Sequence, residues 1–149
     1  MSWIAPIVLF LEILLLLYVA TMDIATRSIR NEICLALALL GIAGQLASPL
    51  QIAESLIAAT ILLLLLLVIY QRRLIGGGDV KLLASTVLLV GYHATFLFLA
   101  VMSICGGLLA VAIFLWLLAA KTKKQPSVPY GVAIAAGAII TLSLNPMIG

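Results

Sequence analysis

Apolar residues come in long, nearly unbroken runs divided by short polar stretches, a pattern too long for a half-buried strand and too uniform for an amphipathic soluble helix. The first run extends from about Trp3 to Met22, and the polar stretch Asp23 to Glu32 follows it. The second covers about Ile33 to Ala47 and stops at Ser48-Pro49, a break signal. The third covers about Ile52 to Tyr70 and leads into Gln71-Arg72-Arg73-Leu74-Ile75-Gly76-Gly77-Gly78-Asp79-Val80-Lys81. From Leu82 to Ala120 the chain carries no acidic or basic residue except His93, which leaves room for two helices about a tight turn. Gly91-Tyr92-His93 is the preferred turn, although it makes the fourth helix short, and Ser103 to Gly107 is the weaker candidate. The loop Lys121 to Pro129 then precedes a last run from about Tyr130 to Leu144. The pattern predicts six helices.

Composition turns those helices into membrane spans. Of 149 residues, 66% are hydrophobic, with only 8 basic and 5 acidic side chains, and the mean hydropathy is +1.37. Soluble chains carry about a quarter of charged residues, so a water-soluble globule, a disordered tail and a nucleic-acid binder are all excluded. Six spans of about 20 residues each leave no length for a separate soluble domain. Residues 1–149 are therefore read as one all-α transmembrane domain, a bundle of six helices. The first run is too long, and lacks the basic start and small-residue cleavage site, to read as a removable signal peptide. Cys34 and Cys105 lie far apart in apolar runs and form no Cys-x-x-Cys pair, so neither a metal site nor a disulfide framework is expected, and no cofactor is required.

Charge orients the bundle. The basic residues form three groups: Arg27 with Arg30, Arg72 and Arg73 with Lys81, and Lys121 with Lys123 and Lys124. Six alternating spans put all three groups on one side, while the turns near Pro49 and Tyr92 carry no lysine or arginine. Basic residues concentrate on the cytoplasmic side of membrane proteins, so that face is expected to be cytoplasmic and both termini outside. Five or seven spans would split the groups. Trp3 and Tyr92 near the outer interface, and Tyr70 and Tyr130 near the inner one, fit an aromatic belt.

Ionisable groups beside a span are candidates for function, because a carboxylate at the bilayer centre costs about 2.5–3.5 kcal/mol on insertion scales. The only aspartates, Asp23 and Asp79, are each placed at the cytoplasmic end of a helix, one leaving the membrane and the other entering it. Two carboxyl groups at one depth could share a water and a proton, as in aspartic proteases, where repulsion keeps one partner protonated. Asp79 starts a helix, where the dipole favours an anion, and Asp23 ends one, where it does not. Asp79 is thus expected to be the more acidic member and Asp23 to hold the shared proton more often. Arg27 opposes this if the first helix continues to it. Plainer alternatives remain: Asp79 as an N-cap after a glycine turn, and Asp23 as an interfacial partner of Arg27.

Around these acids the chain resembles a known family. Gly76-x-Gly78-Asp79, followed by Val80-Lys81, resembles the Gly-x-Gly-Asp-x-Lys motif of type IV prepilin peptidases, which are intramembrane aspartic proteases of bacteria. Asp23, with Arg27, Ile29 and Asn31 behind it, resembles the family's other aspartate and its Ile-Pro-Asn segment, with Arg30 where the proline is usual. Pro129-Tyr130-Gly131, followed by Ala133 to Gly137, resembles the family's C-terminal Pro-aromatic-Gly helix start, with Val132 in place of a second proline. The likeness runs over nearly the whole chain in the right order.

What the resemblance implies is an aspartic endopeptidase whose catalytic residues are Asp23 and Asp79. Gly76, Gly78, Lys81, Arg27, Asn31, Pro129 and Gly131 would support the motifs or bind substrate. The substrate would be a prepilin or pseudopilin, cut at the cytoplasmic face of the inner membrane between a short basic leader and a hydrophobic helix. Larger relatives carry a methyltransferase region with zinc-binding cysteines, for which this chain has neither the length nor the cysteines. It is in this respect similar to the small enzymes of tight-adherence (Flp) pilus systems. At Gly76 and Gly78, a missing Cβ would let a substrate backbone approach Asp79 and let the loop take positive φ.

Other polar residues receive plainer expectations. Glu12 lies eleven residues before Asp23, on nearly the same helix face and about 16 Å deeper. It is expected to be a hydrogen-bonded bundle carboxyl, with contact to a polar substrate-helix residue as the sharper alternative. Lys81 could orient a substrate carbonyl, bind membrane lipid phosphate or simply anchor the positive side. His93 reads as an outer-turn residue, Glu32 as a possible attraction for a basic leader, and the small residues at Gly106-Gly107 and Ala133 to Gly137 as close-packing positions. The rival function is a small proton-coupled transporter with Asp23, Asp79 and Glu12 as a relay. Transporter sites usually sit near the midplane, whereas both aspartates are placed at the edge. Oligomeric state is left open.

Overall fold

The computed structural model describes residues 4–120 and 129–144, with side chains from Pro6 onward. Six helices follow one another: α1 (Ile4–Thr26), α2 (Asn31–Gly44), α3 (Pro49–Gln71), α4 (Gly77–Val90), α5 (Tyr92–Ala120) and α6 (Tyr130–Leu144). Trp3 and the basic group Lys121, Lys123 and Lys124 lie outside the described residues. The turn between α4 and α5 falls where glycine placed it, since Gly91 has φ 80°, a conformation that side chains with a Cβ resist. Pro49 stands at the start of α3, where its missing N–H removes no helix bond.

Helix lengths alternate. The odd helices have 23, 23 and 29 residues and the even ones 14, 14 and 15. At 1.5 Å per residue the even helices are about 21–23 Å long, short of the hydrocarbon thickness of about 30 Å. Three helices among the described residues are long and apolar enough to cross a membrane: Pro6–Thr26, Pro49–Gln71 and Tyr92–Ala120. α2 and α6 are shorter apolar helices. The expected six helices are present among the described residues, three of them of spanning length.

Packing follows the same alternation. Short α4 sits in the middle, against α2, α3, α5 and α6, while α6 also lies along α1 and α5. Leu82, Val87 and Val80 of α4 pack with Leu16, Leu37, Phe98 and Ile134 in the buried core. The long helices instead turn Phe10, Leu14, Ile61, Leu64, Phe114 and Trp116 outward, as lipid-facing surfaces do. Small residues allow the close approaches. A Cβ on Gly41 would stand 2.5 Å from Leu89 Cα, and one on Gly137 would stand 2.8 Å from Met102 Cα. Gly107, expected to pack closely, instead faces open space.

A buried amide closes the end of the bundle around Gly91. Gln45 Nε2 donates to the carbonyl oxygens of Gly41 at 3.1 Å and Leu88 at 2.7 Å. Its Oε1 accepts from Ser55 Oγ at 2.7 Å, and Ser55 Oγ accepts from the Tyr92 N–H at 3.0 Å. One side chain from each of α3 and the α2 C-cap thereby ties four helices together.

Candidate active site

Odd helices end, and even helices begin, at the opposite end of the bundle from Gln45. Every motif singled out in the sequence therefore converges there. Asp23 lies one turn before the end of α1, which continues to Thr26 rather than stopping at Met22. Asp79 is the third residue of α4, with Gly76 in the N-cap position. The plainer alternative of Asp79 as the N-cap does not hold, since Gly76 takes that position three residues earlier.

The two aspartates, 56 positions apart, line one cavity of about 480 Å³. Arg27, Gly76, Gly78, Pro129 and Tyr130 share its wall, and Ile29, Leu74 and Ile75 supply its apolar part. Asp23 is 5% exposed, and its Oδ2 is a buried oxygen with no hydrogen-bond partner among the described residues. A buried carboxylate oxygen left open costs free energy, so such a group calls for a proton, a water or a ligand. Asp79 stands in the first turn of α4, outside the three apolar spans. Burial pushes its carboxyl up from the ordinary 3.8 to about 6, the negative charge of Asp23 adds to the rise, and a backbone hydrogen bond with Gly76 opposes it. The helix-start dipole was expected to keep Asp79 acidic; desolvation and the neighbouring acid outweigh it.

Glycine is needed here for space rather than for φ. A Cβ on Gly76 would come 3.2 Å from Asp79 Oδ2, and one on Gly78 would come 3.4 Å from Ile29 Cβ. Gly76 itself is extended, with φ −71°. The left-handed residues at this end are Arg27, φ 51°, and Arg73, φ 57°, which terminate α1 and α3. Gly131 of α6 makes the tightest approach: a Cβ there would lie 2.7 Å from both Cγ and Oδ2 of Asp23.

The remaining candidates sort by position. Lys81 Nζ donates to Asn31 Oδ1 at 3.0 Å, tying the first turn of α4 to that of α2. Arg27 lines the cavity, yet the ion pairs among the described residues are Arg30–Glu32 at 2.7 Å and His93–Glu54 at 3.8 Å, so the proposed Asp23–Arg27 pairing is not formed. Glu12 is buried against Gly44 at the far end of α2, away from the aspartate cavity. Of the three acids, Asp23 and Asp79 line that cavity and Glu12 does not. Leu74 and Ile75 escaped the sequence reading; an apolar pair inside a polar loop, just before the glycines, was the available signal. Among the described residues no cluster of His, Cys, Asp or Glu could hold a metal ion.

These features define a helical membrane protein with a two-acid cavity at one end of its bundle. A sequence model of the type IV leader peptidase family matches residues 10–111, and the chain belongs to that family. It is therefore a peptidase, a hydrolase. The matched span contains Asp23 and Gly76 to Asp79 and ends before Pro129. Neither a search of curated proteins nor one of solved structures found a match.

Proposed function

We propose that the protein removes short basic leaders from prepilins or pseudopilins at the cytoplasmic face of the bacterial inner membrane, with Asp23 and Asp79 as its catalytic pair. The observation carrying this reading is the shared cavity: two acids from opposite sides of a long sequence separation face one space, and one oxygen of Asp23 stands buried and open. Asp79, with its raised carboxyl, is the member placed to hold the proton. Asp23 then acts as general base. It accepts a proton from water as the water oxygen bonds to the scissile carbonyl carbon, while the Asp79 acid donates to the carbonyl oxygen. When the tetrahedral intermediate collapses, Asp23 passes its proton to the leaving nitrogen, the C–N bond breaks, and Asp79 recovers its own.

Family membership supports the prepilin substrate class, and the one-sided basic residues support a cytoplasmic site with both termini outside. The likeness to small tight-adherence (Flp) enzymes is part of this reading, and Cys34 and Cys105 stand singly in α2 and α5. The test is co-expression with a candidate pilin, following leader removal by gel shift. Wild type should shift the precursor, and Asp23→Asn and Asp79→Asn should each leave it intact while still inserting. Normal processing by either variant would refute the pair.

A further inference from the structure

We infer that the first turn of α6 is part of the catalytic apparatus, with Gly131 as the positioning residue that holds the Asp23 carboxyl against the cavity it shares with Asp79. This rests on the reading of the two aspartates as the catalytic pair. Two independent observations carry it. Asp23 is 5% exposed with Oδ2 unpartnered, and that same oxygen lies where any side chain at Gly131 would begin, 2.7 Å from its Cβ position. The amides of a helix's first turn have no partner within the helix and carry its positive end. α6, of 15 residues, thus brings a favourable field to an acid that its own helix α1 presents from the unfavourable end.

The charged and titratable groups around Asp23 are few. Arg27 comes from the end of its own helix, Asp79 from α4 and Tyr130 from α6. α2 sends none into the cavity wall, and Lys81 of α4 is turned to Asn31. With Arg27 unpaired to it, the wall formed by α6 is what restricts the carboxyl. A methyl group at Gly131 would stand 2.7 Å from the Asp23 carboxyl and 2.9 Å from its Cβ; the carboxyl can rotate, but the Cβ moves only with the α1 backbone, so the change displaces Asp23 itself. The same methyl at Gly137 would collide with the α5 backbone at Met102, which cannot turn aside without moving a helix. Gly131→Ala therefore displaces a residue of the cavity, whereas Gly137→Ala displaces packing alone.

The test compares three alanine variants of the full chain in detergent or vesicles, with a prepilin peptide as substrate and thermal melting as the check on fold. Gly131→Ala should lower kcat per folded molecule about 100-fold with KM within twofold, whatever the shift in melting temperature, since a displacement of order 1 Å at a reacting group costs about that factor. Gly137→Ala should lower the melting temperature, with a smaller loss of kcat per folded molecule. Gly107→Ala, in open space, should match wild type within twofold. Retained kcat in Gly131→Ala, a loss expressed in KM instead, or a loss that merely follows unfolding overturns the inference while the aspartate pair stands. Should wild type itself cleave without dependence on Asp23 and Asp79, the underlying reading fails instead.

Discussion

The two ends of the bundle handle buried polar groups in opposite ways. Around Gly91, Gln45 and Ser55 are almost wholly buried, and every polar side-chain atom of the pair is bonded: two donations to carbonyls, one hydroxyl-to-amide bond and one backbone N–H. At the other end Asp23 is equally buried, yet one oxygen has no partner among the described residues and a second acid faces the same space. A closed network rigidifies a fold, whereas a half-satisfied one is unstable unless something else is meant to complete it. The contrast separates scaffold from site within one small protein, without recourse to the motif.

Breaking each end should therefore fail differently. The largest effect is expected at the open end: Asp23→Asn or Asp79→Asn should reduce leader cleavage by roughly 10³-fold or more, the upper range for a lost acid or base, with thermal stability unchanged or improved. At the closed end the signature reverses. Gln45→Leu or Ser55→Ala leaves buried partners unsatisfied and should destabilise by about 1–3 kcal/mol, seen as a lower melting temperature, while kcat per folded molecule stays near wild type.

A pH series sharpens the comparison further. Asp79 titrates near 6 in the folded protein against 3.8 ordinarily. Between those values the folded state binds more protons than the unfolded one, so stability should fall as pH rises through that window and level off above it. Melting curves from about pH 4 to pH 7 should lose this slope in Asp79→Asn. In Asp23→Asn the window should narrow from its upper side, because the neighbouring charge is gone. Gln45→Leu should keep the slope intact. The smallest effect is expected for Lys81→Met, which removes one exposed hydrogen bond to Asn31. It should cost under about 1 kcal/mol of stability and a severalfold drop in kcat/KM, measured by peptide cleavage, through a looser start of α4.

Some of this was legible from residues alone because local physics carried it. Apolar runs set six helices in order, glycine at position 91 set the turn, and charged residues at run ends set one polar face. The acids at that face were legible too, since few ionisable groups exist and both stood beside a span. Helix ends were read less well. α1 carried on through Asp23 to Thr26, and α4 began two residues before Asp79, because short polar stretches next to glycine are compatible with either helix or loop.

What residue order determined was thus the helices, their sequence and the chemistry available at one end, all of which follow from transfer energies and backbone preferences summed along the chain. Tertiary structure alone decided which surfaces those groups meet. It put the amide end of α6 against Asp23, closed Gln45 onto Ser55 and Leu88, left Arg27 apart from the acid four residues away, and buried Asp79 enough to reverse the effect of its helix dipole. Field and desolvation depend on distance in space, and a neighbour more than a hundred residues away contributes as strongly as one in the next turn.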